Sequence, residues 1–115
     1  YSDSLILADS SFAKVLRATP NYIQGYVKRS QIAEKLDTLE PKQYFALPHY
    51  QKIIEVGEVD AVKNKRYLIE AYMYLAYYNV QIGKQNDALM YYDKVLALDP
   101  ENATAMENKK IIKGQ

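Results

Sequence analysis

In this 115-residue chain the residues that could do chemistry are one histidine, a scatter of carboxylates and twelve tyrosines. General acid–base work needs paired groups whose surroundings drive their pKa values apart. His49 follows Pro48 near a helix start, with no serine or carboxylate close along the helix, so a packing or surface role is expected. Asp87, Asp93, Asp99 and Glu101 cluster in sequence, but Asp87 and Asp99 flank helix ends, where capping and the helix dipole explain them. With no cysteine there is no thiol nucleophile, disulfide framework or thiolate site, and one imidazole builds no multi-histidine metal site. The four glycines, Gly25, Gly57, Gly83 and Gly114, are isolated and form no phosphate-cradling loop. Asn102-Ala103-Thr104 matches a glycosylation acceptor, although Asn102 is better read as a helix cap. No enzyme, metal or cofactor is expected.

Charge adds little. Fifteen basic and fourteen acidic residues leave a net +1, evenly divided between the two halves of the chain. Lys63, Lys65 and Arg66 make the densest basic run and read as a solvated helix face. Nucleic-acid binding would want basic residues over one face interleaved with aromatics, and no such set is seen. Tyrosine is the informative excess, with seven between Tyr67 and Tyr92. Most must be core, because a phenol packs like phenylalanine while its hydroxyl reaches the rim. Those left on a surface make rigid amphipathic anchors for a partner.

The elements that position these residues are helical. Leu5, Ala8, Phe12, Val15 and Leu16 share one helix face. Pro20 and Asn21 end that segment, and Asn21 is placed to cap a second helix over 23–36 with Tyr26, Ile32, Ala33 and Leu36 as its apolar stripe. After a loop over 37–42, a third helix runs to about Val56, with Pro48 tolerated in its first turn or at a bend. Gly57 closes it, and Asp60 is placed to cap a long fourth helix reaching Ile82. Gly83 suits a left-handed turn before a fifth helix over 86–98. Asn102 caps a sixth, which ends in Lys109, Lys110 and Lys113. The most apolar window, Tyr67 to Ile82, is interrupted by Glu70, Asn79 and Gln81 and is shorter than the ~20 residues of a membrane span. No membrane insertion is expected, and no basic-then-apolar leader pattern is visible at the start.

Three of these helices repeat one pattern. Ala8, Phe12, Lys14, Val15 and Leu16 match Ala46, Tyr50, Lys52, Ile53 and Ile54, and both match Ala88, Tyr92, Lys94, Val95 and Leu96. A small residue lets a neighbouring helix approach, and the aromatic one turn later fills the space beyond. Pro20 and Pro100 each follow their alanine by twelve residues, and the alanines recur at 38 and 42.

On these residues the chain resembles the tetratricopeptide repeat family, a helix–turn–helix unit of about 34 residues. The two periods are then one unit with insertions, in the 37–42 loop and the 57–68 segment. The fullest copy, 69–102, puts Tyr72, Leu75, Ala76, Gly83, Ala88, Tyr92 and Pro100 at the signature positions, while Asn79 departs from an expected tyrosine. The middle copy begins with Tyr26, Arg29 and Ser30, with Arg29 in place of leucine. The resemblance implies an all-α fold of about six helices, antiparallel pairs stacked as a right-handed superhelix. It implies one domain over 1–115: a second helix of a truncated repeat over 1–20, a repeat with an inserted loop over 21–58, a repeat with a lengthened first helix over 59–102, and a terminal helix over 103–115. The chain is then expected to be a C-terminal fragment of a longer repeat protein. Its signature core would comprise Ala8, Phe12, Pro20, Tyr26, Ala46, Tyr50, Tyr72, Leu75, Ala76, Gly83, Ala88, Tyr92 and Pro100.

The resemblance also implies a concave groove lined by first helices, at Gln24, Val27, Lys28 and Gln31 and then Glu70, Met73, Tyr74, Tyr77 and Gln81. Lys28 is the one basic residue in that set, which disfavours the family's carboxylate-gripping subclass. The function implied is a non-enzymatic protein-interaction module taking a peptide or helix. The alternatives are self-association through the Ala8/Phe12 face of the first helix, in a structural segment of a longer solenoid, and an accessory domain of an enzyme outside these residues.

Overall fold

A computed structural model describes residues 2–114. Over them run six α-helices: α1 (Ser2–Ala18), α2 (Ile23–Leu36), α3 (Leu47–Gly57), α4 (Lys65–Gln81), α5 (Gln85–Leu98) and α6 (Ala103–Lys113). A 3₁₀ turn, Glu58–Asp60, follows α3, and no strand is present among the described residues. The fold is all-α. The chain divides into two compact units, Tyr1–Val59 and Asp60–Gln115.

In the first unit α2 packs between α1 and α3. Leu16 is the one residue of α1 that is fully buried, whereas α2 buries Ile23, Tyr26, Val27, Ile32 and Ala33. Gly25 lets α1 come close: a Cβ there would meet Leu16 Cδ2 at 2.8 Å. The guanidinium of Arg29 grips Asp9 with two bonds, Nε to Oδ1 at 2.8 Å and Nη2 to Oδ2 at 3.1 Å, tying α2 to α1. This explains the departure from leucine at Arg29. Pro48 lies at the second position of α3, where its missing N–H leaves no helical bond unmade. The preceding loop is organised by Asp37, whose buried carboxylate accepts the amides of Gln43 at 2.9 Å and Tyr44 at 2.7 Å. Those two bonds hold Tyr44 at a left-handed φ of 58°, which costs an L-residue about 1–2 kcal/mol.

In the second unit α5 packs between α4 and α6. Small residues set the α4–α5 approach: Ala71, Ala76 and Ala88 are wholly buried beside Leu68 and Val95. The ring of Tyr72 stands 6.2 Å from that of Tyr91, with the ammonium of Lys94 5.5 Å over Tyr72. Asn79 is buried with its side-chain amide donating to the Leu75 carbonyl at 2.7 Å, so an amide takes the site where the repeat pattern has tyrosine. The end of α4 is a Schellman turn. Gly83 at φ 79° donates to Val80 O, and Lys84 N–H donates to Asn79 O. Asn102 caps α6, its side-chain oxygen accepting from Ala105 N–H at 2.9 Å. Thirty-four residues after Leu75, Ala76 and Asn79, which α4 buries, α6 carries Lys109, Lys110 and Lys113.

Two caps differ from the sequence reading. Asn21 does not cap α2. Tyr22 N–H donates to Thr19 O in a turn, α2 starts at Ile23 as the spacing predicts, and Tyr22 occupies the capping position without a side-chain bond. Asp60 does not cap α4 either. Its carboxylate accepts from Lys63 N–H at 3.2 Å in a separate turn, and α4 begins only at Lys65. The turn chemistry of an aspartate is the same in both settings, so sequence placed the residue type correctly and the element wrongly.

Candidate functional site

α4 presents a stripe that its packing against α5 leaves outward. Glu70, Met73, Tyr74, Tyr77 and Gln81 recur at three- and four-residue steps on one face. Glu70 and Gln81 are exposed, Met73 and Tyr74 half-buried, and Tyr77 is 42% exposed. The Tyr74 and Tyr77 rings lie 6.3 Å apart and tilted, a contact that holds both in place.

At Tyr77 the stripe opens into a cleft of about 220 Å³ bounded by three helices. Tyr77 and Val80 of α4 form one wall, Ile111 and Ile112 of α6 the other, and Tyr92 of α5 with Asn108 of α6 complete it. The Asn108 side-chain amide donates to the Tyr92 hydroxyl at 3.1 Å. Burial pushes the Tyr92 phenol up from its ordinary value, partly offset by that hydrogen bond. Tyr92 therefore stays protonated at neutral pH, and the cleft is apolar with one neutral hydrogen-bonding pair. Asn108, Ile111 and Ile112 escape a reading of α4 alone, and Val80 of α4 lies outside the stripe read from the sequence. A signal for three of them does exist, because Asn108, Ile111 and Ile112 stand 34 residues after Tyr74, Tyr77 and Tyr78.

On α2 the corresponding residues divide. Gln24, Lys28 and Gln31 are exposed on one face, whereas Val27 is buried and cannot reach a ligand while α2 is packed. Of the signature residues, Tyr26, Ala46, Tyr50, Tyr72, Leu75, Ala76, Ala88 and Tyr92 are buried, Ala8 and Phe12 are half-buried, and Pro20, Gly83 and Pro100 are exposed. Three tyrosines among the buried set use their hydroxyls at the edge of the packing. Tyr26 donates to Pro20 O at 2.7 Å, Tyr50 to Glu34 Oε2 at 3.2 Å, and Tyr92 accepts from Asn108.

A second surface lies at the end of α1, where an open groove of about 770 Å³ is lined by Phe12, Val15, Thr19, Pro20, Asn21 and Tyr22. Ile6 and Leu7 are also exposed, but Ile6 stands half a turn round the helix from Val15. His49 of α3 belongs to the packing between helices. Burial holds its pKa below the ordinary value, Arg29 pushes it further down, and Asp9 pushes it up. Among the described residues no group of three or more His, Cys, Asp or Glu side chains could hold a metal ion. No helix is long and apolar enough to cross a membrane.

Comparison with solved structures places this architecture in a class. The chain is similar to the crystal structure of the C-terminal part of a TPR repeat-containing protein from Cytophaga hutchinsonii, at 39% identity and a TM-score of 0.85. The match covers 93% of this chain and 41% of that one. No protein-family model matches, and no curated protein does. The chain folds as a stretch of tetratricopeptide-like helical repeats, a fold of protein-interaction modules that is typically non-enzymatic.

Proposed function

We propose that this chain is a non-enzymatic interaction module that binds a peptide or helix along the outward face of α4 and in the cleft at its end. The reading rests on the repeat register in which 21–58 and 59–102 are full units, 1–20 a second helix and 103–115 a terminal helix of one repeat domain. The observation that carries it is the tyrosine stripe: Tyr74 and Tyr77, held ring against ring, lead into a cleft whose opposite wall repeats the stripe 34 residues on. Aromatic anchors already fixed by packing lose little side-chain entropy when a partner arrives. Gln24, Lys28 and Gln31 on α2 give the first unit a polar strip of matching register, suited to hydrogen bonding rather than apolar anchoring.

Replacing Tyr74 and Tyr77 together by alanine is expected to weaken binding of a selected peptide by about 10- to 100-fold, within the range of aromatic hot spots. The far-UV circular dichroism should stay unchanged. Undiminished affinity in the double variant removes α4 from the site.

The open groove beside half-buried Phe12 and exposed Val15 supports a second reading, self-association through the Ala8/Phe12 face of α1. Light scattering at two concentrations separates the two, since this surface predicts a mass that rises with concentration.

A further inference from the structure

Taking the repeat register above as given, and independently of the α4 face, we infer that α1 is built to receive an antiparallel helix of the same polypeptide, preceding residue 1, that lays an aromatic ring over Lys14. The alanine, aromatic and aliphatic positions shared by α1, α3 and α5 locate the contact. At α3 they are Ala46, Tyr50 and Ile53, at most 2% exposed with α2 packed against them. On α5 they are Ala88, Tyr92 and Val95, at most 4% exposed with α4 alongside. On α1 Ala8 and Phe12 are only half-buried and Val15 is 43% exposed. No helix precedes α1 among the described residues.

Lysine identifies what the incoming helix carries. The repeated pattern places a lysine six residues after its alanine in all three copies, Lys14, Lys52 and Lys94, and neither the core nor the α4 face uses it. Across the α4–α5 pair the Lys94 ammonium stands 5.5 Å over the ring of Tyr72, a cation–π contact. The first unit repeats the pairing. Lys52 is held above its ordinary pKa first by Glu55, its hydrogen-bond partner, and also by Tyr26, which stands at the Tyr72 position of that unit. Lys14 is exposed, and no described ring lies over it. Tyr72 and Tyr26 are each followed four residues on by a wholly buried small residue, Ala76 and Ser30, which lets the paired helices approach. The incoming helix therefore has an aromatic residue with alanine, serine or glycine four places later. A three-residue turn joins α4 antiparallel to α5, so wholly buried Leu68, in the first turn of α4, lies towards the end of α5. On α1 the equivalent place is the open groove beside Phe12 and Val15, which takes an apolar side chain four residues before the aromatic. In the similar crystal structure more than half of the chain lies outside the match, which favours the same chain as the source of such a helix.

The test grafts residues 65–84, α4 with its Gly83 turn, ahead of Leu5 in place of residues 1–4, which gives Ala8 the spacing that Ala88 has from α4. Hydrogen exchange of the α1 amides should slow at least about tenfold against the 115-residue chain, at any protein concentration. Tyr72→Ala in the grafted copy should remove most of that protection. Lys14→Gln should speed α1 exchange by about two- to fivefold in the graft, the range of an exposed cation–π contact, and change nothing in the 115-residue chain. In that unmodified chain Lys94→Gln and Tyr72→Leu should couple by about two- to fivefold in the unfolding constant, which tests the contact without any graft. A graft that adds no helical signal or leaves α1 exchange unmoved overturns the inference. So does a Lys14→Gln effect equal in both chains, or an absence of coupling between Lys94 and Tyr72. Protection of α1 that rises with concentration in the 115-residue chain overturns it in favour of a second copy. Peptide binding enters none of these readouts, so the α4 face is tested separately by its own tyrosine variants.

Discussion

Arg29 and His49 show how a departure from a repeat pattern becomes an interaction between helices. Arg29 replaces an apolar residue and recovers the loss by a two-bond grip on Asp9, and His49 on α3 is half-buried beside both. Protonating His49 would add a cation to a site where burial and Arg29 already oppose one. The sign follows from the lowered pKa. The unfolded chain takes up a proton near pH 6.5, before the folded one does. Stability is therefore fully present above that value and lost as pH falls through the lower folded value. Thermal unfolding between pH 7.5 and 5 should show a falling Tm that flattens in His49→Gln. An unchanged slope in that variant would assign the loss to carboxylates instead. Sequence could single out His49 as unfit for catalysis because it lacks a neighbour along its own helix. Its partners come from two other helices, 20 and 40 residues away, which no local spacing displays.

Single elements are more fully legible in the sequence. α2 lies over 23–36 as its punctuation dictates, Pro48 falls in the first turn of α3, and Gly83 takes the left-handed position that closes α4. Asn102 is the cap of α6, and its side-chain bond to Ala105 N–H predicts the cost of losing it. Asn102→Ala should destabilise the second unit by about 1 kcal/mol, measured by urea unfolding, with the earliest loss in α6 amide protection. Asn102→Ser, which keeps an acceptor, should restore most of it. The outward stripe of α4 was equally legible, since the 3- and 4-residue spacing of Glu70, Met73, Tyr74 and Tyr77 is a property of one helix. The cleft was not, because its wall comes from α6 and Tyr92 from α5. Val27 marks the opposite failure: register alone put it with Gln24 and Gln31, and the packing of α2 between two helices buries it.

For the whole molecule, repeat chemistry predicts stability that adds unit by unit from neighbouring helices rather than from one shared core. Leu68 is wholly buried in the second unit, so Leu68→Ala should cost about 2–5 kcal/mol there. Hydrogen exchange resolved by segment should show α4, α5 and α6 losing protection while α2 and α3 keep theirs. Equal loss in both units would mean the chain unfolds as a single cooperative body.

The lysines of α6 bear on assembly. A copy that grew head to tail would have to seat an α4-like apolar face on the exposed α1 of the next copy. At the matching register α6 offers Lys109, Lys110 and Lys113 in place of Leu75, Ala76 and Asn79. A heterologous contact of that kind, the sort that propagates into open filaments, would bury ammonium groups against hydrocarbon. On the self-association reading the contact is therefore isologous, α1 against α1, and covers the Phe12 and Val15 edge of both copies at once.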